Sequence, residues 1–169
     1  MKQLVREEDI LKKVEEIGKK INTDYKEKNP IVIGVLKGAF VFLADLLREI
    51  EIPIEVDFLS ISSYNGKESS GVVRITHDLS LNIKDRDVIL VEDIIDTGRT
   101  VNYIIENLKT RKPKSLAVCT LLNKEENRII NVQLSYIGFT IPGVFVVGYG
   151  LDYSNKYRNL RYIGVLNGS

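Results

Sequence analysis

Glu92 and Asp93 stand side by side near the middle of the chain, and after two apolar positions comes the polar turn Asp96-Thr97-Gly98-Arg99-Thr100. Adjacent carboxylates suit a hard cation such as Mg²⁺ or neutral sugar hydroxyls. The turn offers two hydroxyl donors, a cation and a glycine that lets a ligand approach the backbone. Val101, Ile104, Ile105 and Leu108 follow at i, i+3, i+4, i+7, a helical stripe, so the turn lies at a helix N-terminus. Unpaired backbone N–H groups and the positive end of the helix dipole make such a turn an anion site, most naturally for phosphate. A phosphorylated sugar would satisfy both halves. The same residues also fit a plainer reading, in which the acids cap the helix and Thr-Gly is an ordinary turn.

Other residues could join that chemistry. Lys37-Gly38 follows the apolar run Ile31–Leu36 and precedes a second striped helix through Val41, Phe42, Leu46, Leu47 and Ile50. It is either a second anion turn or a solvated lysine. Lys124 ends the apolar run Leu116–Leu122, at the strand end where open α/β sheets bind ligands. In the tail, periodicity makes Phe145, Val146 and Val147 a core strand and leaves Asp152 and Arg158 near a turn.

These residues need a scaffold of strands alternating with helices. Val88–Val91 is a short β-branched run that reads as a strand buried on both faces, carrying Glu92 and Asp93 at its carboxyl end. Ile10, Leu11, Val14, Ile17 and Ile21 predict an amphipathic packing helix over about 7–25, stopped by Asn29-Pro30. A strand opens after Pro53 and alternates Ile54, Val56 and Phe58 with Glu55 and Asp57 as it runs to Tyr64. The polar stretch 65–71, NGKESSG, then joins it to Val72–Ile75, and His77 in the next connection carries no role. The expected architecture is α/β, a mostly parallel central sheet flanked by helices. One domain spans 1–169, with a small hood formed by the N-terminal segment and the region from about 124.

With 169 residues, the chain has room for one full core. A net charge of +1 gives no field that would gather nucleic acid or anionic lipid, so neither is expected as a partner. A lone cysteine, Cys119, forms no internal disulfide and fits a reducing compartment, and with a single histidine a His/Cys zinc site is excluded. The acidic start MKQLVREEDI is unlike a signal peptide and no apolar run nears ~20 residues, so a cytoplasmic location is expected.

The stretch VILVEDIIDTGRT resembles the 5-phosphoribosyl-1-diphosphate (PRPP) motif of the type I phosphoribosyltransferases. LKGAFVFLADL resembles the purine-salvage branch of that family, and FVVGYGLDY with KYRNL is close to the tail of its hypoxanthine-guanine members. The resemblance implies transfer of a phosphoribosyl group from PRPP to hypoxanthine or guanine, giving a nucleoside monophosphate and pyrophosphate with Mg²⁺. It implies that Glu92 and Asp93 lie by the ribose hydroxyls and metal, and that Asp96, Thr97, Gly98, Arg99 and Thr100 hold the 5′-phosphate. Asp96 is implied as the general base. Lys37, Gly38 and Arg158 would meet pyrophosphate. Lys124, Phe145, Val146 and Asp152 would meet the purine, Asp152 also lying near the metal. Ser63-Tyr64 would stand at the base of a lid over 65–71, and the family forms dimers or tetramers. Two departures flank the implied base pocket: Lys124-Glu-Glu-Asn127 replaces Lys-Pro-Glu-Arg, and Gly143-Val144 replaces Asp-Lys. A xanthine-preferring relative and a non-catalytic PRPP or nucleotide sensor are the alternatives.

Overall fold

The computed structural model describes residues 1–64 and 72–166. Along them run β1 (Lys2–Val5), α1 (Glu7–Asp24), β2 (Ile31–Leu36), α2 (Phe40–Glu49), β3 (Glu55–Tyr64), β4 (Val72–His77) and β5 (Asp87–Ile95). Then come α3 (Arg99–Thr110), β6 (Ser115–Asn123), a single 3-10 turn (Glu125–Asn127), β7 (Tyr136–Thr140), β8 (Val146–Val147) and β9 (Ile163–Val165). Six strands form the main sheet in the order β4-β3-β2-β5-β6-β7, parallel throughout except for β4. This is the expected mostly parallel α/β arrangement.

The side chains of β2 and β5 alternate between two cores, which explains their unbroken apolar runs. Val32, Ile89 and Val91 pack with Ile10, Val14, Ile17 and Ile21 of α1 and Phe42, Leu43 and Leu46 of α2. Ile31, Ile33, Val35, Val88 and Leu90 face the opposite way, onto Val101, Ile104, Ile105 and Leu108 of α3. No side chain caps the start of α3. Its position is set by packing: each buried aliphatic contributes about 1.5–3 kcal/mol, more than the ~1 kcal/mol of a typical cap. The acids therefore do not serve as helix caps, and the plainer reading of Glu92-Asp93 is set aside.

A three-stranded antiparallel sheet, β1-β9-β8, draws on both ends of the chain. Val5, Val146 and Ile163 bury into the α1/α2 core, so the two sheets share apolar packing. Tyr136–Thr140 falls within the stretch expected for the hood, yet it pairs with β6 as the edge of the main sheet. Its parallel register, Cys119↔Tyr136 to Asn123↔Thr140, continues the sheet and supplies the partner that β6 needs.

Other expectations are corrected. Strand β5 does not stop at Val91 but runs on through both acids to Ile95, because β6 stays paired with it as far as Ile95↔Asn123. Phe145 lies outside β8 and is 42% exposed. His77 closes β4, opposite Ser60, instead of lying in a connection. In β3 the alternation is inverted: Val56 and Phe58 are each 37% exposed, while Asp57 is 5% exposed and Leu59 is buried. The Asp57 carboxylate accepts the backbone N–H groups of Phe58, Ser80 and Leu81, all at 2.8 Å, which pins the connection after β4 beneath the sheet. A buried carboxylate so supplied with donors outweighs the polar/apolar pattern.

Asp57→Ala is expected to lower the unfolding free energy by about 2–3 kcal/mol in urea titration, since buried N–H groups are left without an acceptor. Val56→Thr on the opposite face should change it by less than about 0.5 kcal/mol. The reverse ranking would refute the inward assignment of Asp57.

Candidate active site

Strands β2 and β5 are paired from Ile31↔Val88 to Gly34↔Val91, after which β2 pairs only with β3. Glu92 and Asp93 therefore sit on the part of β5 that β2 has left. The turn that follows β2 begins with a cis peptide between Leu36 and Lys37 and folds over this gap. A Cβ placed on Gly38 would lie 1.7 Å from Asp93 Oδ2, so glycine is required there by the Asp93 carboxylate. Lys37 is exposed beside it. Gly38 also touches the hood, its carbonyl oxygen occupying the place a Cβ of Gly150 would take.

The polar turn after β5 is held by backbone contacts. Gly98 is the N-cap of α3 at φ 84°, a left-handed conformation suited to glycine, and a Cβ there would meet the Ile130 carbonyl at 2.3 Å. The segment 124–130 is laid along it. Lys124 N–H donates to the Ile95 carbonyl at 2.9 Å, Arg128 Nε to the Asp96 carbonyl at 3.1 Å, and the N–H groups of Ile129 and Ile130 both donate to the Thr97 carbonyl. Arg128 also hydrogen-bonds the Asn123 side chain. The Asp96 carboxylate is gripped on both oxygens: Lys124 Nζ reaches Oδ2 at 3.2 Å and Asn127 Nδ2 reaches Oδ1 at 2.9 Å. Lys124 is 7% exposed, which rules out a freely solvated lysine. Arg99 and Thr100 are exposed at the first turn of α3, whose leading N–H groups face outward.

The hood supplies the third group. The Tyr149 hydroxyl donates to Asp45 Oδ2 of α2 at 2.5 Å and ties the turn Gly148-Tyr149-Gly150 down. Burial and the Asp45 carboxylate push this hydroxyl up, which keeps it a donor. Arg158 donates to the Gly150 carbonyl at 2.7 Å and pairs with Asp152 at 2.7 Å, while the other Asp152 oxygen accepts the N–H of Asn155. Phe145 meets Tyr153 edge to face, with ring centroids 5.8 Å apart. Val146 is buried and paired with Val165.

Two sets of the expected residues are thus brought together: Asp96 with Lys124, and Asp93 with Gly38, over which the hood turn held by Arg158 closes. The three acids Glu92, Asp93 and Asp152 do not converge: Arg158 is paired with Asp152 and its charge also acts on Asp93. Among the described residues no three His, Cys, Asp or Glu side chains are arranged to hold a metal ion. Ser63 and Tyr64 end β3, paired with Val73 and Val72, and the expected lid over 65–71 lies outside the described residues. Arg128 and Tyr153 escaped sequence reasoning, and Asn127 was read only as part of a departure flanking the base pocket. The signal for Asn127 and Arg128 was slight, their place just after Lys124, because their partners are up to about 30 residues away in the chain.

A family model for the phosphoribosyl transferase domain matches residues 1–154. The chain is 49% identical over 166 residues to a hypoxanthine-guanine phosphoribosyltransferase of Streptococcus agalactiae, a match covering 98% of this chain and 92% of that protein. It is 48% identical over 166 residues to the bifunctional protein TilS/HprT of Listeria monocytogenes, covering 98% of this chain but only 26% of that longer protein. A crystal structure of a Bacillus anthracis hypoxanthine-guanine phosphoribosyltransferase with HEPES in its active site aligns at a TM-score of 0.93 and 43% identity, covering 98% of each chain. There is no helix among the described residues long and apolar enough to cross a membrane.

Burial raises Glu92 well above the usual carboxylate range, and the neighbouring Asp93 charge adds to the shift. Asp93 is raised by burial too, opposed first by the Glu92 side chain, then by the Ile94 N–H and the positive charge of Arg158. The folded chain therefore holds the Glu92 proton more tightly than the unfolded chain does. The contribution of Glu92 to stability is therefore fully present below the ordinary glutamate range and is lost as pH climbs through the raised value. Glu92→Gln, neutral at every pH, is expected to flatten this decline, so that the variant gains on the parent as pH rises, read from urea midpoints across pH 4–9. An unchanged pH slope would show that Glu92 does not carry the proton.

Proposed function

The chain belongs to the phosphoribosyltransferase family, and on that premise we propose that it transfers the 5-phosphoribosyl group of PRPP to a 6-oxopurine, hypoxanthine or guanine, releasing pyrophosphate. The observation that carries the reading is the Asp96 carboxylate, held at the end of β5 beside a helix N-terminus with a buried lysine on one oxygen. That juxtaposition offers a proton acceptor, a phosphate cradle and a donor for a purine carbonyl within one small volume.

The proposed roles follow from the chemistry of each group. The first turn of α3, with Thr97, Gly98, Arg99 and Thr100, takes the 5′-phosphate. Lys37, the backbone at Gly38 and Arg158 take pyrophosphate, Arg158 exchanging Asp152 for the ligand. Lys124 turns from Asp96 to the purine 6-oxo group, Phe145 and Tyr153 form the aromatic wall, and Val146 reads the purine edge through its backbone. Ser63 and Tyr64, at the end of β3, are proposed to serve the substrates from the base of the implied loop. Asp96 takes the ring proton as the purine attacks.

By formal charge the cations Lys37, Arg99, Lys124 and Arg158 are matched by Glu92, Asp93, Asp96 and Asp152, and a proton or metal ion on the Glu92-Asp93 pair tips the balance toward a polyanionic substrate. Glu92 and Asp93 are adjacent hard oxygen donors that burial disfavours as bare anions, which fits a hard cation, and Mg²⁺ is the proposed cofactor. Held by Glu92 and Asp93, such a cation would supply positive charge to offset that of the departing pyrophosphate. Asp152 is proposed to lie near it once Arg158 engages pyrophosphate.

The test is turnover with PRPP and Mg²⁺ against hypoxanthine, guanine, xanthine, adenine and uracil in parallel. Hypoxanthine and guanine are expected to react. Binding of PRPP with no base reacting would overturn the assignment in favour of a sensor. Asp96→Asn is expected to cut kcat about a hundredfold or more with PRPP binding retained, and equal loss of both would make Asp96 structural.

A further inference from the structure

Asn127 and Gly143, from different segments of the chain, meet beside Asp96. The amide Nδ2 of Asn127 donates to Asp96 Oδ1 at 2.9 Å. Only the NH₂ end of that amide can face a carboxylate, so Oδ1 of Asn127 points the other way, toward Gly143. A Cβ on Gly143 would lie 2.7 Å from that oxygen. Gly143 has no left-handed backbone to justify a glycine. What its missing side chain does is leave room for the Asn127 amide. The neighbouring Glu126 accepts the Gly143 N–H at 3.4 Å, which keeps the two segments together.

Asn127 is exposed, so one more hydrogen bond there adds little to the stability of the fold. Its effect falls on the carboxylate. Lys124 holds Oδ2 and Asn127 holds Oδ1, but these partners differ in what they must do next. On the functional reading above, Lys124 leaves for the purine carbonyl and frees Oδ2. The carboxylate would then be free to rotate were Oδ1 not still held.

We infer that Asn127 is a positioning residue for Asp96, that Gly143 sets its reach, and that Oδ2 is the oxygen which accepts the purine proton. As the attacking ring nitrogen bonds to the anomeric carbon, the C–O bond to pyrophosphate breaks and its electron pair leaves with pyrophosphate. The displaced ring proton passes to Asp96 Oδ2. This inference rests on Asp96 being the base.

The experiment compares Asn127→Ala, Gly143→Ala, their double variant and Asp96→Asn. It measures kcat and KM with hypoxanthine, calorimetric binding of PRPP with Mg²⁺, and the melting temperature. Each single variant is expected to lower kcat about fivefold, the scale of one hydrogen bond, with PRPP affinity unchanged and melting within about 2 °C of the parent. The double variant should be no slower than the slower single, because alanine at 143 acts only by displacing Asn127. Asn127→Asp, which keeps the shape but cannot donate when ionised, should lose at least as much as Asn127→Ala. Losses that multiply in the double variant, or an unchanged kcat in Asn127→Ala while Asp96→Asn is inactive, would overturn this inference alone. A fully active Asp96→Asn would remove the base assignment and this inference with it.

Discussion

Strand β5 outruns its neighbour. It shares four register pairs with β2 and then continues for four residues, Glu92–Ile95, on which only β6 is paired with it. A strand inside a parallel sheet ordinarily has both of its edges satisfied, and its residues must then be apolar on both faces. Losing one partner opens a notch at the carboxyl end of the sheet. In that notch two acids can be carried on regular backbone without being exiled to a loop. Everything around the notch follows from it. The turn after β2 folds back over the gap, Gly38 yields its Cβ space to Asp93, and Gly150 of the hood closes down on the same turn.

The polar turn beyond the notch is fixed in another way. Its carbonyls at Ile95, Asp96 and Thr97 all receive donors from 124–130, three of them backbone N–H groups. Such bonds lie between elements already ordered, so little further conformational entropy is lost in making them. By contrast, the exposed ion pairs of α1, such as Lys19 with Glu15, contribute little. The order at the site thus comes from main-chain pairing, and the side chains of Asp96, Lys124 and Arg158 are left to change partners.

Much of this was legible in the sequence because it is periodic. The run Ile31–Leu36 coincides with β2, and the stripe Val101, Ile104, Ile105, Leu108 is the buried face of α3. The acids and the turn were found because their residue types are unusual beside such a strand. What stayed hidden depended on distant partners. In β3 the apolar residues face outward because Asp57 has backbone donors at Ser80 and Leu81, which no local pattern reveals. Phe145 reads as strand, yet it stands apart against Tyr153. Asn127 and Gly143 read as two unrelated departures from the family's pattern, and only the fold brings them into contact.

The small sheet pairs Lys2 with Val165, so the beginning and the end of the described chain are adjacent strands of one antiparallel ladder. Met1 lies against Gly164 there, and the Tyr162 hydroxyl is 3.9 Å from its sulfur. For the architecture, the chain's ends are almost a hairpin that happens not to be joined. A short linker could close them, and a break opened in an exposed connection such as 26–29 would give a circular permutant with every register pair retained. The same closeness makes the domain a cassette: a host protein carrying it as an insert would enter and leave it through a single corner.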